Sequence, residues 1–171
     1  MIKAVLFDLD GTLLPMDEEE FKKVYFGTLY QKVKHLGYTP NELINAIWFG
    51  TKAMVKNDGS INNEERFWEA FSTIYPDSRK TSEPSFNDFY YHDFPKLAHA
   101  CGKKPQPLAK EFIEELKSRG YKLILATNPI FPQVATRART VWAGLNPDNE
   151  DINKYKHGSF EQIMNLVLNR L

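Results

Sequence analysis

Cysteine is the scarcest resource of this 171-residue chain: Cys101 stands alone. A disulfide framework within the chain is thereby excluded, and a reducing, cytoplasmic setting is expected. Excess charge is lacking too, because 22 basic side chains face 22 acidic ones. No global field would hold the chain on nucleic acid or on an anionic membrane, so neither is expected as a partner. Long hydrophobic runs are missing: stretches such as Leu123-Ile124-Leu125-Ala126 fall far below the ~20 residues that cross a bilayer. The apolar opening meets Asp8 too early for a signal peptide. The four histidines show no zinc spacing. Phosphate-loop, nucleophile-elbow and His-Glu-x-x-His patterns do not occur. What the length allows is about one domain of ~150 residues with a modest insert.

Two short β-rich runs stand out. The first, residues 2–9, ends at the turn signal Asp10-Gly11-Thr12, and the second, residues 121–127, follows Gly120 and ends at Asn128-Pro129. Both are expected to be buried strands with polar residues at their carboxyl ends. Most of the aromatic residues lie between them, from Phe21 to Phe94. There Phe21, Val24, Tyr25, Leu29, Val33 and Leu36 recur at helical spacing before Gly37. Thr39-Pro40-Asn41-Glu42 is a capping box with proline in the first turn, opening a helix with Leu43, Ile44, Ile47 and Trp48 on one face. Asn57-Asp58-Gly59 reads as a turn, and Phe67, Trp68, Phe71 and Ile74 as a further stripe that stops before Pro76. Residues 77–84 read as a polar link, and residues 86–100 as a helix that Pro95 must kink or divide.

Beyond the insert, Leu108, Phe112, Ile113 and Leu116 predict an amphipathic helix that leads through Gly120 into the second strand, half of a crossover unit. Over residues 132–143, Val134, Ala138, Val141 and Trp142 are the expected buried positions. Ser159-Phe160-Glu161-Gln162 is another capping box, opening a last helix.

In open parallel α/β sheets, ligands bind beyond the carboxyl ends of the strands. Asp8 and Asp10 end the first strand here, Thr127 and Asn128 the second. Two close carboxylates can divide labour, one as nucleophile or metal ligand and the other as general acid, and a bound divalent cation relieves their repulsion. By itself, Asp-x-Asp-Gly-Thr is equally a turn that uses Asp and Gly for backbone reasons.

The combination is more specific. Phe7-Asp8-Leu9-Asp10-Gly11-Thr12-Leu13 after an apolar strand resembles the first signature motif of the haloacid-dehalogenase-like (HAD) superfamily, and Leu125-Ala126-Thr127-Asn128 looks like its second. The aromatic, helical stretch between them resembles the α-helical cap that many members insert. The resemblance covers residues 1 to about 145. It implies a Rossmann-like parallel α/β core, residues 1–14 and 100–171, with a cap over residues 15–99. It also implies a magnesium-dependent phosphatase acting on a small phosphate ester. Asp8 is then the nucleophile, and Asp10 protonates the leaving group and activates water. Thr127 and the backbone at Asn128 hold the phosphoryl group, and Mg2+ binds the Asp8 carboxylate and the Asp10 carbonyl. An acid at position 10 marks the members that act on phosphoryl groups rather than haloacids.

Two family elements are placed less directly. Lys156 is the candidate for the motif lysine, with Lys154 as the alternative and a solvated loop lysine as the bland reading. No acidic pair follows the last helix, where the family continues with another strand; Asp148, Glu150 and Asp151 precede the lysine candidates and read as a polar loop. The expectation is a core incomplete at its carboxyl end, with Val5, Leu6 and Phe7 on an exposed hydrophobic edge that dimerisation or an atypical final helix covers. A second reading follows: a truncated or degenerate, non-catalytic chain that binds a phosphorylated ligand or a protein partner.

Other signals have ordinary explanations. His92-Asp93, with Asp88 one turn earlier, reads as surface or cap packing. Trp48, Trp68, Phe89 and Tyr90 are candidate pocket lining, although helical spacing favours cap core. The acidic run from Asp17 to Glu20 suits a helix start, Arg137 and Arg139 form only a small basic cluster, and Cys101 has no base placed beside it.

Overall fold

The computed structural model describes residues 4–101, 105 and 107–147. Two strands, β1 (Ala4–Phe7) and β2 (Lys122–Leu125), pair in parallel with Ala4 opposite Lys122 and Phe7 opposite Leu125. The ladder continues one step further, since the Ala126 amide donates to the Phe7 carbonyl at 2.7 Å. Parallel strands need a crossover connection, and here it carries α1 (Glu18–Val33), α2 (Pro40–Val55), α3 (Asn63–Ile74), α4 (Ser78–Asp88) and α5 (Pro107–Ser118). After β2 comes α6 (Gln133–Trp142). This is an α/β fold in which a large helical insert interrupts a small parallel sheet. No helix among the described residues is long and apolar enough to cross a membrane.

Local chemistry explains most helix ends. Asp17 caps α1 by accepting from the Glu20 amide, and the three glutamates that follow lie against the positive end of the helix dipole. Thr39 and Glu42 form the reciprocal capping box at α2. A short 3-10 turn, Lys34–Leu36, ends at Gly37 with φ of 88°, a conformation that suits glycine.

Residues 77–84 are not a link. Asp77 takes a left-handed conformation and α4 starts at once, with Pro84 inside it. What holds this polar segment is tertiary: Ser78 and Ser82 are buried, Ser78 shares a hydrogen bond with Ser72, and Ser82 shares one with the Tyr38 hydroxyl. The chain then widens through a π-helical turn (Phe89–Asp93) and tightens into a 3-10 helix (Phe94–Cys101), so that Pro95 divides the segment as its sequence predicts.

Many aromatic residues of the insert form its interior, whereas Trp48, Phe49 and Tyr91 are exposed. Phe21, Tyr25, Phe89 and Phe94 pack edge to face or stacked, and Phe94 stacks on Trp142 of α6 with centroids 5.1 Å apart. The insert and the sheet-bearing part therefore share one core. Three hydrogen bonds add to the seam: Trp142 Nε1 to the Pro95 carbonyl, the Asp17 amide to the Cys101 carbonyl, and Asn63 Nδ2 to the Pro129 carbonyl.

Helices α2 and α3 meet closely at Gly50, where an added Cβ would lie 2.5 Å from the Phe67 ring. Gly50→Ala gains up to ~1 kcal/mol of helix propensity but overpacks a fitted contact at a cost of about 1–3 kcal/mol. The expected net result is destabilisation by about 1 kcal/mol, measured by urea unfolding; a stabilised variant would show that Phe67 moves freely.

Two helix faces differ from their predicted stripes. On α5, Ala109 and Ile113 are buried whereas Leu108 and Phe112 are more than half exposed. Phe112 still meets Phe7 edge to face at 6.0 Å. On α6, Ala135, Thr136, Arg139, Thr140 and Trp142 form the buried face, and Val141 is exposed. Trp142 holds its predicted place and Val134 and Ala138 are half-buried, but the helix turns its threonines and an arginine fully inward where Val141 faces out. At the sheet edge, Leu6 is exposed and Val5 and Phe7 are half-buried.

Candidate active site

The two strands run parallel, so Asp8 and Asp10 after β1 and Thr127 and Asn128 after β2 emerge at the same edge of the sheet. Just beyond β1 the chain folds into a tight loop. The Thr12 and Leu14 amides both donate to the Leu9 carbonyl, at 3.2 and 2.8 Å, and the Gly11 amide donates to the Leu14 carbonyl at 2.8 Å. Gly11 has a φ of 78°, which favours glycine at the loop's tip. Leu9, Leu13 and Leu14 are buried beneath it and anchor the loop. The alternation of acids and leucines thus divides the loop: leucines go down into the core, and acids stay at the edge.

The two carboxyl groups have different surroundings. Asp8 is exposed, and one of its oxygens accepts a hydrogen bond from the Thr12 hydroxyl at 3.2 Å. Asp10 is half-buried and forms an ion pair with the Arg139 guanidinium. Burial raises the Asp10 pKa above its ordinary value; the Arg139 charge and hydrogen bond pull it down, and the nearby charges of Asp8 and Glu18 push it up again. Burial wins, so Asp10 holds a proton more readily than a free aspartate does.

Arg139 was not evident from sequence, where it reads as half of a small basic cluster. In the fold it is 2% exposed. Its guanidinium lies over the Phe131 ring, 4.5 Å from the centroid, and Nη2 donates to the Thr136 hydroxyl at 3.4 Å. Its Nε and Asp10 Oδ1 are buried without a hydrogen-bond partner. Buried polar atoms are rarely left unpaired, so such a pair beside a cavity marks a place where a ligand's polar atoms fit. The signal available in the sequence was the company Arg139 keeps: Ala135, Thr136 and Trp142 lie one turn away on the same face.

A cleft of about 1080 Å³ opens above Asp10 and Arg139, between the insert and the loop that follows β2. Trp48, Trp68 and Tyr90 line it, whereas Phe89 is fully buried in the core. The Tyr25 and Tyr90 hydroxyls share a hydrogen bond of 2.8 Å within the wall. Burial raises both phenols, Tyr90 up to about 12, so both stay neutral near pH 7. Asn128 also lines the cleft, and Thr127 sits half-buried one residue before it.

Other candidates take structural positions. Burial pushes the Cys101 thiol up to about 11, which makes it a poor nucleophile. His92 is exposed, with Nδ1 2.7 Å from Asp88 Oδ1. Among the described residues no group of three or more His, Cys, Asp or Glu side chains converges. For a divalent cation these residues offer the exposed Asp8 carboxylate and the main-chain carbonyl of Asp10. Such a donor set fits magnesium, which retains several waters and takes one or two carboxylates together with substrate phosphate. Lys154 and Lys156 lie outside the described residues.

A family model described as haloacid dehalogenase-like hydrolase matches residues 2–167 of the chain. No curated protein and no solved structure matches it.

Proposed function

This chain belongs to the haloacid dehalogenase-like hydrolases, and from that premise we propose that it hydrolyses a phosphate monoester through an aspartyl-phosphate on Asp8, with Asp10 as general acid and base. One observation carries the reading: at a single sheet edge an exposed carboxyl, Asp8, stands two residues from a half-buried one, Asp10, whose pKa is raised. Such a division of environments is what acid and nucleophile roles require.

In this mechanism an Asp8 carboxylate oxygen attacks phosphorus while the ester P–O bond breaks and Asp10 gives its proton to the departing oxygen. Asp10, now a carboxylate, takes a proton from the water that attacks the aspartyl-phosphate, which frees phosphate and restores Asp8. Thr12 orients Asp8 through its hydroxyl. The Thr127 hydroxyl and the Asn128 backbone hold phosphoryl oxygens. The Arg139 guanidinium stabilises the Asp10 carboxylate between the two steps and adds positive charge near the phosphoryl group. The Asp8 carboxylate and the Asp10 carbonyl would hold Mg2+, which would supply further charge neutralisation at the phosphoryl group. The insert excludes water from the cleft and selects the leaving group, as a cap would.

Hydrolysis of 4-nitrophenyl phosphate is expected in magnesium and should disappear with excess chelator, returning when the cation is restored. No turnover under any divalent cation sinks the catalytic reading. In that case a rise in melting temperature with inorganic phosphate supports a non-catalytic phosphate-binding chain instead.

A further inference from the structure

The cleft reveals more about the leaving group than the family does. Much of its wall is apolar, with Phe26, Trp48, Met54, Phe67, Ile130 and Phe131 facing the space. Trp48 is 48% exposed and Val55 is 62% exposed, both on the cleft side of α2. Large apolar side chains left open beside a catalytic edge are a feature of binding surfaces.

Several polar groups of the wall are occupied by the protein itself. Asn57 Nδ2 donates to the Ile61 carbonyl and to Asn63 Oδ1, and Asn57 Oδ1 accepts from the Gly59 amide. Asn63 Nδ2 is used on the Pro129 carbonyl, the Thr51 hydroxyl on the Ile47 carbonyl, and the two tyrosine hydroxyls on each other. At these positions a sugar or other polyol would have to break existing bonds to satisfy its own hydroxyls, whereas Glu64, Asn87, Asn128 and Gln133 are further polar side chains of the lining.

Charge narrows the choice further. The cleft has two cations among its lining residues, and each is engaged: Lys22 by Glu18 at 3.3 Å and Glu19 at 3.1 Å, Arg139 by Asp10. A second phosphate, as in a nucleoside diphosphate, would find no unengaged cation among the described lining residues. Unpartnered buried polar atoms occur at one place only among those residues, Asp10 Oδ1 and Arg139 Nε at the inner end. The buried polar atoms that lack a partner therefore mark the floor at Asp10 and Arg139, and Phe26, Trp48 and Phe67 line other parts of the cleft.

We propose that the substrate is a phosphate monoester of a bulky, uncharged aromatic alcohol, with the ester oxygen at the Asp10 and Arg139 floor and the ring system against Trp48, Phe26 and Phe67. This rests on the phosphohydrolase reading for its turnover, but not for the binding of the alcohol. Two measurements separate them.

In the first, 2-naphthalenemethanol is titrated into the full chain and its binding followed by calorimetry. Saturable binding is expected, weakened about tenfold in Trp48→Ala. Val55→Lys, which places a charge in the wall at a mostly exposed position, should weaken it similarly and serves as a second variant should Trp48→Ala fail to fold. In the second, kcat/KM in magnesium is compared for 2-naphthylmethyl phosphate and glycerol 3-phosphate, both esters of alkyl alcohols. The aromatic ester is expected to be favoured by about tenfold or more, with the preference reduced in Trp48→Ala. Failure of the alcohol to bind, or a preference for glycerol 3-phosphate, overturns the aromatic assignment even if hydrolysis occurs. Binding of the alcohol without hydrolysis of either ester upholds the apolar subsite and overturns the phosphatase reading.

Discussion

Asp8→Asn is expected to lower hydrolysis of an aryl phosphate by at least about 10³-fold, because the amide oxygen is far less nucleophilic than a carboxylate and the anion that would hold the cation is gone. Structure should barely change. Asp8 is exposed, its only hydrogen bond among the described residues is the one from the Thr12 hydroxyl, and an amide oxygen still accepts it. Melting temperature is thus expected within a degree or two of wild type, so that lost turnover reports chemistry rather than unfolding. Steady-state kinetics and a thermal melt on the same preparation check both halves. Residual activity near wild type removes Asp8 from the nucleophile's role.

The second large effect concerns stability, and it is asymmetric across one ion pair. Asp10→Ala strands the Arg139 guanidinium at 2% exposure. Arginine cannot shed its proton to escape, so removing its partner should cost about 3–5 kcal/mol. Arg139→Met replaces the cation with an apolar chain of similar length and leaves Asp10, whose side chain is 34% exposed, free to protonate. Its cost should be smaller, about 1–2 kcal/mol, and the double variant Asp10→Leu with Arg139→Met should recover most of what Asp10→Ala loses. Urea unfolding of the set, read as a double-mutant cycle, measures the coupling. Equal costs for the two single variants would contradict the buried-cation argument.

The same pair sets a pH dependence. Since the folded-state pKa of Asp10 is raised, the folded chain binds this proton more tightly than the unfolded chain does. The resulting contribution to stability is present below the ordinary carboxylate pKa and is lost as pH rises through the raised value. Arg139→Met removes the two influences that oppose burial, so the window extends to higher pH, measurable as the pH dependence of the melting temperature.

What could be read without the fold were features that act over a few residues. The capping box at Thr39, the stop at Gly37, the two strand runs and the Asp-x-Asp-Gly-Thr loop all depend on backbone hydrogen bonds and turns that neighbouring side chains determine. The sequence therefore determined the α/β class, the run of helices between the two strands and the strand edge where Asp8, Asp10, Thr127 and Asn128 emerge. Long-range packing determined the remainder. Ser78 and Ser82 look like linker residues until Ser72 and Tyr38 arrive from elsewhere in the chain to satisfy them, and only then does a proline-containing helix hold at residues 78–88. Arg139 looks solvated until Phe131 covers it and Asp10 neutralises it across 129 positions of sequence. Burying a guanidinium is favourable only where a carboxylate and an aromatic face are already in place, and one helix's own pattern cannot announce partners that the fold brings to it.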